Sequence, residues 1–538
     1  HRISAPTKVD VTFSAHESLV LAAILVAVAL LLIVAQLVRV PYPILLVIGG
    51  LGLSFVPGIP EIELPPDLVL IAVLPPLLYG TAFFTSLRDL RENAGAISLL
   101  AVGLVLTTML VVAAVAHFLI PDLSWQGAFV LGAVVSPTDP TAASAIAERL
   151  GLPRRIVALI EGESLVNDGT ALVAYKFAVV AVVTGTFSLA DAAGDFVLNV
   201  IGGIAIGLGI GFLIRQVRLR LDDPPLEITI SLLSGFFAYL PAQAAGVSGV
   251  LAAVTVGIYM GWHTPELTSA QTRLQGIAVW EIVFFVLNAL LFALIGLQLP
   301  AILDALSGRS TATLIGYAAA VTAAVIAARF LWVVPGTYLT ARFRRRRRPI
   351  QEPGKAAILL GWSGMRGAVS LAAALALPLT TDAGQPFPNR PLIIFLTFGV
   401  IFGTLVLQGL TLPAVVKTLG LEDEGRAEKE ESKARVYAAE AALARLEELA
   451  DEDWVREDTL ERLRGLFGFR RERFRSRFDP ESDGAVEDRS ANFQRLMREL
   501  LDAERNAVFE LRRTRRIDDD VMRRVVRDLD LEEARLDA

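Results

Sequence analysis

Apolar runs long enough to cross a bilayer recur along the first 420 residues and constrain this chain more than any other feature. Stretches such as 19–38 and 204–214 are too continuously apolar to be one face of a soluble helix. In hydrocarbon, only helices and closed barrels satisfy every backbone N–H and C=O, and runs of this kind select helices. Turn residues, prolines and charges divide the apolar part into about thirteen segments. They lie near 17–38, 43–56, 66–86, 94–119, 124–148, 154–184, 190–216, 226–243, 247–262, 272–298, 311–341, 354–378 and 390–418. The chain is 54% apolar even though a charged tail dilutes the average, and a net charge of −6 over two such different parts says little. No cysteine is present, which removes disulfides, thiolate metal sites and cysteine nucleophiles together.

Charge must therefore be read loop by loop. With the C-terminus cytoplasmic, the inner loops collect Arg39, Arg88, Arg91, Arg149, Arg154, Arg155, Arg215, Arg218, Arg220, Arg273, Arg342, the run Arg344, Arg345, Arg346, Arg347 and Arg348, and Lys355. The outer loops keep only Arg309 and Arg390. An odd number of spans then puts the N-terminus outside, and the acidic loop 57–67, with Glu61 and Glu63, fits an outer position. The five-arginine run is expected to anchor topology against anionic lipid rather than to bind nucleic acid. Residues 1–16 form the outer end, of which 1–14, opening on His1, read as a scar or processed end. From Glu422 onward, mixed charge with helical spacing marks a soluble tail, with the loop 479–488 inside it. The domains are thus 1–16, a transmembrane part 17–420 and a cytosolic helical tail 421–538, whose regulator, if it has one, is not legible.

Two segments cannot be continuous helices. The fifth contains Ser136-Pro137-Thr138-Asp139-Pro140, where two prolines remove backbone donors beside a carboxylate at mid-membrane depth. The twelfth contains Gly361-Trp362-Ser363-Gly364-Met365-Arg366-Gly367, where glycines surround a charge that lipid would not accept. Interrupted segments at matching positions of two halves point to a transporter site, because freed carbonyls and half-helix ends can ligate an ion at the midplane. The expected fold is an all-α polytopic membrane protein of about 13 transmembrane helices. Segments 1–6 and 8–13 form two inverted-topology repeats, with breaks in segments 5 and 12 and a C-terminal helical domain.

The sixth segment carries Glu161, Glu163 and Asp168 inside an apolar span, a costly placement that points to function. At about 100° per residue, Ser164 and Asp168 share one stripe while Glu163 and Asn167 share the next. Asp168 and Ser164, with Asp139 and the carbonyls freed around Thr138, supply hard oxygen ligands for a small alkali cation such as Na+. Proton and cation would compete for the Asp168 carboxylate, and that competition couples them. Asn167 is neutral, so one titrating group remains and one proton per cation is expected. Arg366 needs a buried partner, and Glu163 is the expected one, as a structural tie between helices more than a transport element. Lys176, two turns beyond Asp168, is expected to snorkel outward.

Ser-Pro-Thr-Asp-Pro at 136–140, Glu-Ser-Leu-Val-Asn-Asp-Gly-Thr-Ala-Leu at 163–172 and Gly-Met-Arg-Gly-Ala-Val-Ser-Leu at 364–371 resemble the bacterial sodium/proton antiporters related to animal sodium/proton exchangers. Leu-Pro-Pro-Leu-Leu-Tyr at 74–79, Trp280-Glu281 and Asn-Ala-Leu-Leu-Phe at 288–292 add to a likeness covering 17–420. The resemblance implies a homodimer in the plasma membrane, a core domain moving against a dimer domain in an elevator-like cycle, and electroneutral exchange. It implies that Asp168 and Ser164 are ion ligands, that the Thr138 carbonyl and Asp139 complete the site, and that Glu163 and Arg366 form the structural pair. Gly80 departs from it, since many relatives carry an acid there; water, Thr81 or Thr85 is the expected substitute. No cofactor is expected beyond the transported Na+, Li+ or K+ and H+. Potassium/proton exchange is the nearest alternative, because oxygen ligands alone do not set cavity size. A cation channel is the main rival, and coupled counterflow distinguishes the two. No histidine pair or nucleophile–base constellation favours an enzyme.

Overall fold

The computed structural model describes residues 15–38, 42–55, 68–185, 189–304, 306–343, 352–421, 426–476 and 485–537. The first 14 residues, the acidic loop 57–67, the run from Arg344 to Arg348 and positions 477–484 of the tail lie outside the described residues. The chain divides into two compact units, His1–Glu422 and Asp423–Ala538.

In the first unit the order is α1 (Ala15–Val38), α2 (Tyr42–Ser54), α3 (Leu74–Phe84), α4 (Leu87–Ser98), α5 (Val105–Leu119), α6 (Trp125–Val135), α7 (Thr141–Arg149), α8 (Arg154–Val183) and α9 (Leu189–Arg218). It continues with α10 (Pro224–Ala244), α11 (Gly249–Leu267), α12 (Ala270–Leu297), α13 (Leu299–Asp304), α14 (Thr311–Phe343), α15 (Pro353–Trp362), α16 (Ala368–Leu375) and α17 (Arg390–Leu419). Six π-helical residues, Leu68–Val73, lead into α3, and another six, Leu99–Leu104, join α4 to α5 without interruption. Among the described residues, seven helices are long and apolar enough to cross a membrane, and four shorter apolar ones accompany them. The chain is an all-α, multi-pass membrane protein.

Local chemistry sets the helix ends. Ser86, Ser124, Ser248, Ser269 and Asp223 each accept a first-turn N–H, the usual device for an orphan donor at a helix start. Gly420 closes α17 in the left-handed region, at φ 59°. Helices occupy every predicted segment, with α6 and α7 in the fifth and α15 and α16 in the twelfth. The fourth begins earlier than its apolar run indicates, because α4 extends through Arg88, Asp89, Arg91 and Glu92 to the Ser86 cap.

Two packing groups meet within this unit. Helices α4, α5, α6, α8, α14, α15 and α17 pack on one another, and α2 with α12 and α3, α9, α10 and α11 form the other contacts. Small residues let backbones approach in the second group: Cα–H faces of Gly235 and Gly257 lie against the carbonyls of Pro75 and Tyr79 on α3.

The second unit comprises α18 (Arg426–Glu448), α19 (Glu457–Ser476), α20 (Ala485–Arg513) and α21 (Asp519–Asp537). Glu447 accepts hydrogen bonds of 2.7 and 2.5 Å from Arg464, which holds its carboxyl below the ordinary range. Arg435 lies 4.9 Å over the Phe474 ring, and Arg505 binds Asp530 and Glu533 at 2.9 and 2.6 Å.

Candidate functional site

The two breaks are bound to each other. Pro137 and Pro140 cannot donate to a helix ladder, so α6 stops at Val135 and the backbone is free until α7. Across the gap, Asp139 N–H donates to the Met365 carbonyl at 2.8 Å, and an Asp139 carboxylate oxygen caps α7 by accepting Thr141 N–H at 2.9 Å. In the second break, between α15 and α16, glycine is required twice for room. A methyl on Gly367 would lie 2.6 Å from Asp139 Cβ and overlap its carboxylate, and one on Gly364 would strike the Arg329 guanidinium at 2.9 Å from Cζ. Asp139 thus stands against the uncapped start of α16, where a negative charge offsets the positive end of the helix.

Helix α8 supplies the remaining groups. Ser164 donates to the Thr138 carbonyl at 2.9 Å, Asn167 donates to the Thr138 hydroxyl at 2.7 Å, and that hydroxyl donates to Glu163 at 3.1 Å. Asp168 is buried at 6% exposure, and no protein group hydrogen-bonds or ion-pairs with its carboxylate among the described residues. Asp168, Ser164, Thr138 and Asp139 line one cavity of about 80 Å³. The structure therefore brings the four predicted ligand residues together. A buried water needs about 10–15 Å³ of such space, so the cavity has room for a small ion together with water. The cavity is also lined by Leu74, Leu77, Leu78 and Thr81 of α3 and by Asn288 and Leu291 of α12. Among the described residues, no cluster of His, Cys, Asp or Glu side chains is placed to hold a resident metal.

The expected Glu163–Arg366 ion pair is not what forms. Glu163 is gripped by Arg329 of α14, with contacts of 2.5 and 2.9 Å to its two oxygens and both residues 1% exposed. Arg329 also donates from Nε to the Leu360 carbonyl at 2.7 Å, so one guanidinium joins α14, α8 and the end of α15. Arg366 instead spends its donors on carbonyls: Nε on Val135 at 3.0 Å and Nη1 on Gly364, while its own N–H goes to the Thr404 hydroxyl at 3.1 Å. Breaking α6 leaves the Val135 carbonyl without a helical donor, and a cation at that C-terminal end supplies one, while Arg366 Nη2 keeps no hydrogen-bond partner among the described residues. Sequence reading missed Arg329. Its signal was present, since an arginine inside an apolar stretch demands a buried partner.

Gly80 is also placed otherwise than expected. Its missing side chain would point at Trp280 and Phe284, 2.7 and 2.9 Å from ring carbons, and not into the cavity. Of the two hydroxyls considered as substitutes, Thr81 lines the cavity and Thr85 does not. Lys176 is exposed on α8.

Comparison with known proteins agrees with this architecture. Residues 21–418 match the family described as sodium/hydrogen exchanger, transmembrane. An uncharacterized Na(+)/H(+) exchanger of Mycobacterium tuberculosis is 37% identical over 525 residues, spanning 96% of each chain. A sodium, potassium, lithium and rubidium/H(+) antiporter of Bacillus subtilis is 38% identical over 393 residues, covering 70% of this chain and 58% of that one. The solved sodium proton antiporter MjNhaP1 of Methanocaldococcus jannaschii shares the fold, with a TM-score of 0.59 at 18% identity over 75% of this chain and 99% of that one. With its membrane unit matched almost end to end, this chain belongs to the transmembrane sodium/hydrogen exchanger family.

Proposed function

We propose that this protein exchanges protons for a monovalent cation, with Asp168 as the group that carries either one. The observation that carries the reading is the contrast between two buried acids five residues apart. Glu163 is neutralised by a bidentate arginine, whereas Asp168 has no protein partner and faces a cavity lined by further oxygens. A lone buried carboxylate needs a proton or a cation, and it cannot hold both. The Asn167 amide is committed to the Thr138 hydroxyl and carries no charge, so in this reading Asp168 is the single carrier and exchange is one-for-one and electroneutral.

Sodium is the first assignment, with Asp168, Asp139, Thr138 and Ser164 as ligands. Potassium is the second, favoured by the breadth of cations named for the Bacillus subtilis relative. The cycle is elevator-like: the group holding both breaks and α8 moves against the apolar wall of α3 and α12. Thirteen crossings in two inverted repeats place the N-terminus outside and the tail in the cytosol. The working unit is a homodimer in the plasma membrane, with the arginine run at 344–348 on anionic lipid and the tail, residues 421–538, as a regulatory appendix.

The test is proton flux in acid-loaded proteoliposomes on adding sodium, lithium or potassium, with voltage held at zero by a potassium-independent route. Saturable, voltage-insensitive alkalinisation that vanishes in Asp168→Asn is expected. Wild-type rates in that variant would remove Asp168 from the carrier role, and voltage-driven cation leak without proton movement would make the protein a channel.

A further inference from the structure

Among the described residues two buried hydroxyls, those of Thr108 and Ser370, have no hydrogen-bond partner, and Ser370 is the one at the cavity of Asp168. Threonine hydroxyls on these helices are ordinarily taken up by the carbonyl four residues back: Thr81 by Leu77, Thr107 by Gly103, Thr397 by Ile393 and Thr404 by Val400, each at 2.8 Å. Ser370 is the third residue of α16, so the residue four back is Arg366, inside the break, where no helical carbonyl is offered. Its side chain is 1% exposed, and its Oγ has no hydrogen-bond partner. Leaving a hydroxyl buried and unpaired costs about 1–3 kcal/mol, so a group in this state calls for a partner that the chain itself does not provide. The residue lines the same cavity as Asp168, Asp139, Thr138 and Ser164.

The other candidates for an extra oxygen are less suited. Gly80 faces the Trp280 and Phe284 rings, the Thr81 hydroxyl is already bonded and only half-buried, and the Asn288 amide on α12 is likewise only half-buried. We propose that Ser370 is a further oxygen ligand of the transported cation, supplied by the second broken helix to a site otherwise built from the first break and α8. The inference rests on the cavity being the ion site. With a ligand from each broken helix, the cation ties the two breaks together as the Asp139–Met365 hydrogen bond does.

The experiment compares wild type, Ser370→Ala, Ser370→Cys and Asp168→Asn in proteoliposomes, reading sodium- and lithium-driven proton flux against cation concentration, and thermal unfolding of each purified protein. Cysteine matches serine in size but is a poor ligand for a hard cation. In both Ser370 variants the half-saturating cation concentration is expected to rise about tenfold, the equivalent of one lost charge-assisted contact, and by more than the maximal rate falls. The melting temperature is expected to hold or rise, because an unsatisfied buried hydroxyl has been removed. Half-saturation within twofold of wild type in both variants would overturn the assignment, as would a fall in rate and stability with half-saturation unmoved. If wild type and Asp168→Asn are equally active, or both show no cation-coupled proton movement, the reading of the cavity as the ion site fails first and the role of Ser370 with it.

Discussion

Removing one partner of the Glu163–Arg329 pair should be far worse than removing both. The two charge-assisted hydrogen bonds, at 2.5 and 2.9 Å, lie where water has no access, since each residue is 1% exposed. Glu163→Gln keeps the size and one acceptor but strands a guanidinium in the interior; breaking a buried pair in this way costs about 3–5 kcal/mol. Arg329→Met strands the carboxylate instead and also releases the Leu360 carbonyl, so its cost is at least as large. In Glu163→Gln/Arg329→Met neither charge remains, and the double variant is expected to fall short of the summed single losses by about 2–3 kcal/mol. The same cycle with Arg366→Met should show a smaller coupling, because Arg366 feels the Glu163 charge but is hydrogen-bonded to carbonyls and not to Glu163. Equilibrium unfolding in mixed detergent and dodecyl sulfate micelles reads these energies. Additive losses for Glu163 and Arg329, within about 0.5 kcal/mol, would refute the argument, and larger coupling to Arg366 would restore the partner expected from sequence.

Two further outcomes follow from the cavity. If proton and cation share Asp168, raising the proton concentration must weaken apparent cation binding. The half-saturating sodium concentration should therefore fall by up to about tenfold per pH unit as pH rises through the acidic limb, then level off; a half-saturation independent of pH would argue for separate sites. Gly367→Ala should drive the Asp139 carboxylate out of its place against α16 and lower exchange at least about tenfold, at a stability cost of about 1–3 kcal/mol. Flux and unfolding measurements on the same preparation check both halves, and near-normal exchange would mean that Asp139 need not stand where it does.

Much of the fold is legible because a bilayer imposes length, and the breaks are legible because proline and glycine act locally. Pro137 and Pro140 end a helix whatever surrounds them, and Ser164 and Asp168 share a stripe by helix geometry alone. Lateral placement is another matter. Arg329 and Glu163 are 166 positions apart, and nothing in either segment states which helices touch. The sequence logic that an intramembrane arginine requires a carboxylate is sound on average and failed at Arg366, because a broken helix also exposes carbonyls able to take a guanidinium. Gly80 taught the same lesson in reverse. Its position just after the Leu-Pro-Pro-Leu-Leu-Tyr run, where many relatives carry an acid, implies by resemblance a cavity-facing residue, but on α3 it faces Trp280 and Phe284 while Thr81 lines the cavity. Six π-helical residues, Leu68–Val73, precede α3, and hydropathy does not register them.

The leucine wall facing the ion groups has a mechanical consequence. Leu74, Leu77, Leu78 and Leu291 offer no directional bonds, so sliding past them breaks no hydrogen bond, and Thr81 and Asn288 are the polar points beside them. In the proposed cycle, connectors that run taut and helix ends that meet then add to what fixes the end positions of travel. Shortening or stiffening those segments should change how far the carrier moves without altering what it binds.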